Sequence, residues 1–228
     1  DVQLFYVGPA GRLTIENLTL TLGFAPSGGA IQNDGGFVEV SSSRFVENVA
    51  RSDAGAGGGA LYSEGGQLRI SMSSFVGNVV GGVGGAIALY GGDAVITETL
   101  FDANRANFGA AITSAAASLE VRASTFINHL SLGDTVEIAD GTATFVNVTL
   151  AANTIEVGAA LGIRTASSAG LTADARVNHV TADNNRRPDG TAAPALGASP
   201  STGTTVTVAV TNSVLQGCVM TGDGVSLA

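Results

Sequence analysis

The chain has 228 residues, 45% of them hydrophobic, with 5% aromatic and no tryptophan. Ten basic residues, all arginine, stand against nineteen acidic ones, for a net charge of −9. That balance excludes the clustered basic face that nucleic acid requires, the lack of lysine removes Schiff-base chemistry, and the single cysteine, Cys218, removes an internal disulfide or a cysteine-based zinc site.

The length fits one large domain, residues 1–228. With 32 glycines but only 5 prolines, the composition argues for repeated tight turns and against collagen or proline-rich disorder. No apolar run is long enough for a membrane-spanning helix. The start at Asp1, without Met or a signal sequence, reads as a mature or excised piece of a longer exported protein.

From the N-terminus onward the chain repeats itself. Leu20 opens a column continued by Phe45, Phe75, Phe101, Phe126, Leu150, Ala182 and Leu215, at steps of 25, 30, 26, 25, 24, 32 and 33 residues. Three residues after this column stand Asn48, Asn78, Asn104, Asn153 and Asn185, with His129 substituting once and Cys218 falling in the last place. A second motif precedes it: GGAI at 28–31, GGAL at 58–61, GGAI at 84–87, GAAI at 109–112, GDTV at 133–136 and GAAL at 158–161. Ile31, Leu61, Ile87, Ile112 and Val136 each lie 14 residues before a member of the first column, as Tyr6 lies 14 before Leu20.

Inside this constant stretch, apolar residues alternate with Thr, Glu and Arg. Leu13, Val38, Leu68, Ala94 and Leu119 form one inward column, and Ile15, Val40, Ile70, Ile96 and Val121 another. Period-2 alternation is the mark of a β-strand. Three short strands per repeat of about 25 residues, with glycine corners, predict an all-β, single-stranded parallel β-helix of about eight coils. Its coils would stack at roughly 4.8 Å. The phenylalanines become an interior stack. The asparagines become an internal amide ladder that satisfies buried backbone groups at a bend.

The FxxN motif, intact at Phe45/Asn48, Phe75/Asn78 and Phe101/Asn104, together with GGA[ILV] at 28–31, 58–61 and 84–87, resembles the repeats of the polymorphic outer-membrane proteins and related bacterial surface β-helix proteins. The resemblance covers nearly the whole chain and implies a right-handed parallel β-helix, exported and extracellular at the bacterial cell surface. An adhesin or autotransporter passenger is the role it implies, and no membrane β-barrel is present in this stretch.

The function expected from these features is a non-catalytic structural or adhesive scaffold: adhesin passenger, surface stalk, matrix component or self-stacking filament subunit. Its partners would be other copies or flanking domains at the open ends of the helix, whose strand edges must be capped or stacked, and a host or matrix glycan or protein. No cofactor, metal or nucleic acid is expected. The alternative is a polysaccharide lyase or glycoside hydrolase, which needs paired carboxylates, or an arginine base, projecting from adjacent coils. The cluster that comes nearest is Glu98, Asp102, Arg105 and Arg122, set against the plainer reading of a solvated charged face.

Residues 186–203 break the repeat as an irregular inserted loop that carries Arg186, Arg187 and Asp189, a candidate binding patch. Shorter insertions lie at 51–58 and near 165–173. Glu39 and Arg69 share an outward column and are expected to pair. Cys218, in the asparagine column, is expected to be a small buried residue.

Overall fold

The computed structural model describes residues 2–51, 57–165, 171–220 and 225–227. The insertions 51–58 and 165–173 therefore fall largely outside the described residues, at 52–56 and 166–170. The chain winds as a right-handed parallel β-solenoid of about eight turns. In the coil that starts at Gly84, a corner leads into strand Ile87–Tyr90, then Asp93–Thr97, Leu100–Asp102 and a short strand, Arg105–Ala106. Each pairs in parallel with its counterpart one coil away, so backbone hydrogen bonds run along the rod axis.

The register follows the sequence columns. Leu20, Phe45, Phe75, Phe101, Phe126, Leu150, Ala182 and Leu215 are successive pairing partners. The four phenylalanines are fully buried. Their rings stack at 4.5, 5.1 and 4.6 Å, within 10° of parallel. Burying each ring contributes about 1.5–3 kcal/mol, and the ring–ring contacts add roughly 0.5–1.5 kcal/mol each.

The asparagines beside them form a continuous ladder. Asn78 Nδ2 donates to the carbonyl of Phe45 at 3.0 Å, and Asn78 Oδ1 accepts from the backbone N–H and the Nδ2 of Asn48, both at 3.0 Å. The same pattern recurs at Asn48, Asn104, Asn153 and Asn185, from Gly23 N–H at one end to the carbonyl of Leu150 at the other. His129 holds its place with one nitrogen only. Nδ1 accepts from Asn104 N–H at 3.0 Å, while Nε2 is buried without a partner. Burial therefore pushes its pKa down to about 4, because the interior disfavours the charged ring.

A second ladder, of hydroxyls, lies two residues before the phenylalanine column. Ser43 Oγ accepts from Leu18 N–H at 3.1 Å and donates to Ser41 O at 2.8 Å. Ser73, Ser124 and Ser213 repeat both bonds, and Thr99 repeats the second. These hydroxyls relay the backbone around a corner.

The corners differ from expectation in one respect. Glycine does bend the GGA motif: Gly84 has φ +70°, and a Cβ there would lie 2.4 Å from the carbonyl oxygen of Ile87. The two corners that flank the phenylalanine strand instead use left-handed residues that are mostly not glycine. Asn17, Ser42, Met72, Glu98, Ala123, Asn147, His179 and Asn212 all have positive φ, as do Leu22, Glu47, Ala103, Asn128, Ala152 and Asn184 in the next corner.

Three other expectations are corrected. The coils carry a fourth short strand after the asparagine column, and these build a separate six-stranded sheet. Phe5, not Tyr6, pairs with Ile31. The turn at Gly8–Gly11 holds one extra residue, and a one-residue shift on a period-2 strand sends Tyr6 outward, 61% exposed. Cys218 pairs with Leu196 in the GGA[ILV] column and is exposed, because the chain drops the fourth strand there and enters the next turn directly.

Residues 186–203 are ordered into the solenoid for much of their length. Arg186 bridges Thr154, and Leu196–Ser199 pairs with Leu161–Arg164. The unrecognised motif there is Ala193–Pro194–Ala195–Leu196. The two remaining turns, 187–191 and 200–204, are the true insertions, and the second docks on the edge of the preceding coil through Ser201 N–H to Thr165 Oγ1 at 2.9 Å.

Candidate functional site

The strand after each GGA motif buries Ile31, Leu61, Ile87 and their successors in the core. Alternation then points the next residue away from the core. Yet Tyr62, Ala88, Thr113 and Glu137 at that outward position are buried as well. They lie in a re-entrant corner. The tight glycine bend brings the residue three places before the column against the residue one place after it: a Cβ at Gly109 would lie 2.1 Å from Thr113 Oγ1. The residue two places before the column packs on the neighbouring coil, where a Cβ at Gly59 would lie 2.1 Å from Gly85 O. Most coils keep that earlier place small: Gly29, Gly59, Gly85, Ala110 and Ala159.

Asp134 is the exception. It occupies this small-residue place and is 2% exposed. Room for its carboxylate comes from the next coil, where a Cβ at Gly162 would lie 2.1 Å from Asp134 Cγ and a Cβ at Gly158 would lie 2.4 Å from Oδ1. Oδ1 accepts from Ala159 N–H at 2.8 Å, and Oδ2 accepts from Arg164 Nη2. Arg164 Nε also lies 3.3 Å from Glu137 Oε1, an ion-pair distance without hydrogen-bond geometry. Thr113 Oγ1 donates to Glu137 Oε2 at 3.4 Å.

Two carboxylates thus share one guanidinium. Burial pushes the Glu137 carboxyl above its usual range and lowers Arg164. Burial, and then the nearby Glu137, also raises the Tyr90 phenol. Tyr90 belongs to an upper stretch of the same face, where its ring lies 5.6 Å from that of Tyr62, and Tyr62 Oη donates to Glu64 at 2.9 Å.

A cleft of about 260 Å³ opens beside Asp134 and Arg164. It exists because Gly162 and Gly197 leave two consecutive outward positions without side chains. Its walls include Phe108, Val157 and Val219, which are 43%, 75% and 47% exposed. Arg187 stands at its edge. That side chain is held by Nη1, which donates to the carbonyls of Glu156 at 2.7 Å and Ile155 at 3.4 Å.

The candidate residues read from the sequence separate here. Of the loop patch, only Arg187 lines the cleft. Arg186 spends its guanidinium on Asn184 Oδ1 and Gly190 O, and Asp189 caps its own turn by accepting from the N–H and hydroxyl of Thr191. Those bonds from Thr191 hold the Asp189 carboxyl below its usual range.

Glu98, Asp102, Arg105 and Arg122 line none of the three principal clefts. Glu98 is a left-handed corner residue at φ 49°. Asp102 accepts from Asn128 Nδ2 at 2.9 Å, and Arg122 pairs with Glu120 on its own strand. Glu39 and Arg69 are cross-strand partners as expected, but the Glu39 carboxylate makes its ion pair with Arg12 at 3.4 Å, and the Arg69 guanidinium lies over Phe37.

Partial burial raises the Cys218 thiol, the opposite of an activated nucleophile. Among the described residues no group of three or more His, Cys, Asp or Glu side chains is placed to hold a metal ion, and no helix is long and apolar enough to cross a membrane.

Sequence reasoning missed Asp134, Glu137 and Arg164. The available signal was a charged residue at a place where the other coils have glycine, alanine or, once, proline. No protein-family model, curated protein or solved structure matches this chain.

Proposed function

We propose that the chain is a non-catalytic, extracellular β-helix scaffold of bacterial surfaces, akin to the polymorphic outer-membrane proteins, whose outer corner presents a binding face. The observation that carries this reading is the make-up of the cleft. It is lined by a single carboxylate, Asp134, while Glu137 lies behind Arg164 and outside the lining. Glycoside hydrolysis ordinarily needs two carboxylates flanking one bond in the same opening. Binding needs only shape and a few fixed polar groups. The inner ladders meanwhile make the rod self-supporting, which suits a presenting scaffold. Open strand edges at the two ends would stack on further coils or on a second copy.

The test is surface display and adhesion. Antibody labelling of intact producing cells, with and without external protease, should give a protease-sensitive signal. Coated purified chain should retain matrix or host-cell material. Labelling only after cell lysis would overturn the surface reading.

The competing reading, a polysaccharide-cleaving enzyme, draws on the shared Asp134–Arg164–Glu137 cluster, in which two carboxyls, one of them raised by burial, flank one guanidinium. Glycan cleavage by the parent protein that disappears in both Asp134→Asn and Glu137→Gln would establish it in place of the scaffold.

A further inference from the structure

We propose that the cleft beside Asp134 and Arg164 binds one carboxylate-bearing sugar residue, held as a single charge. The inference deepens the scaffold reading and rests on it.

Three features of the cleft point to that chemistry. Its charged lining is Asp134, Arg164 and Arg187; Arg164 is taken up by Asp134 and Glu137, which leaves Arg187 as the cation of the lining that faces no carboxylate there, in a chain whose net charge is −9. Asp134 is already compensated by Arg164 and by Ala159 N–H. Arg187 is fixed by Nη1 on two backbone carbonyls, which leaves its Nη2 and Nε directed donors for a bidentate carboxylate. The exposed apolar walls Phe108, Val157 and Val219 suit the C–H face of a pyranose ring, while the Ser199 hydroxyl offers a partner for a sugar hydroxyl. A volume of about 260 Å³ accommodates one sugar ring rather than a chain of them.

The overall acidity of the molecule adds a discriminating expectation. A polyanion meets repulsion from the rest of the rod, whereas one carboxylate beside Arg187 meets chiefly that guanidinium. The cleft should therefore favour an isolated acidic sugar over a polyuronate.

The test is calorimetric titration of the purified chain with glucuronate, glucose and polygalacturonate. Glucuronate should bind saturably, with glucose weaker by about tenfold or more, since a lost charge-assisted bond is worth at least that factor. Arg187→Gln should weaken glucuronate by a similar factor. Ser199→Phe, an exposed substitution that fills the cleft, should abolish binding while the circular dichroism stays that of the parent.

No saturable binding, equal affinity for glucose and glucuronate, or binding unchanged by both variants would overturn the proposal. So would polygalacturonate as the tightest ligand per residue. Surface display and adhesion that persist in Ser199→Phe, alongside any of those results, would remove the cleft and leave the scaffold reading intact. Loss of display in the parent would remove the scaffold reading whatever the titrations show.

Discussion

The coils between residues 28 and 131 and those from 132 to 220 share one register but use their outer corner differently. In the first set, the corner is packed shut. Gly58 and Gly84 abut Tyr62 and Ala88, and a Cβ at Gly59 or Gly85 would strike the backbone of the neighbouring coil, so no space is left. In the second set, the sizes are exchanged between neighbours. Asp134 fills the place of a glycine, and Gly162 and Gly197 vacate the outward places. The swap buries an ion pair and leaves a cleft. The interior ladders run through both regions, so the backbone does not register the difference. A solenoid can therefore acquire a site without losing its stack, provided the exchange stays on the outer side of a strand.

That contrast can be broken most forcefully from inside. Asn78→Ala strips partners from Asn48 N–H and Phe45 C=O, and at roughly 1–3 kcal/mol for each buried group the loss should be on the order of 4 kcal/mol. Urea unfolding would measure it, and a loss under about 1 kcal/mol would mean the ladder is not what holds the coils.

The next effect depends on pH. His129 has its pKa lowered to about 4 from 6.5, so the folded chain favours the neutral ring. Its contribution is complete above pH 6.5, falls as the pH drops from 6.5 to 4, and is flat below. The loss amounts to about 3 kcal/mol. His129→Asn restores the repeat residue and should remove this component. Melting curves of parent and variant should diverge as the medium is acidified through that window, and parallel curves would contradict the assignment.

In the second region, Arg164→Leu leaves Asp134 and Glu137 without their cation and should cost about 2 kcal/mol, below the roughly 3–5 kcal/mol of a fully buried pair because the guanidinium is partly exposed. Asp134→Ala combined with Arg164→Leu returns the corner to the small residue of other coils and removes one of the two stranded carboxylates, so it should recover part of that loss while Glu137 stays without its cation. Denaturation of the double variant decides this, and a purely additive result would sink the swap argument.

The smallest effect concerns the corners common to both regions. Met72 is left-handed at φ 48° and exposed. Met72→Asn, the residue that adopts this conformation most readily apart from glycine, should stabilise by roughly 0.5–1 kcal/mol. Unchanged stability would show that the corner carries no such strain.

Much of this architecture was legible in the sequence because a stacked coil writes each interior contact as a repeated letter. Phe45, Phe75, Phe101 and Phe126 align by counting alone, and so do the asparagines beside them. Counting failed where length varied inside a turn. The extra residue at Gly8–Gly11 disguised Phe5. The missing fourth strand after Leu215 put Cys218 in the wrong column. Ala193–Pro194–Ala195–Leu196 lacked the glycines that flag its relatives, yet its strand forms because Leu196 can stack on Leu161.

The left-handed corners were hidden for a different reason. Asn, Ser, Met, Glu and Ala share no obvious chemistry, and only the backbone unites them. Asp134 appeared in the sequence as a degenerate letter in a weakening motif. Its meaning depends on Gly162, one coil later and adjacent only in three dimensions. Arg164 belongs to no motif, and its role became visible only when the strands were stacked.

Hydrogen–deuterium exchange read residue by residue, with and without glucuronate, tests the central contrast most directly. Slowest exchange is expected at the amides of Asn48, Asn78 and Asn104, which donate to ladder side chains. Glucuronate should slow exchange only around residues 158–164 and 187–199. Ligand protection along 84–92, or no ligand-dependent protection beside Asp134, would contradict the division between a sealed stack and an opened corner.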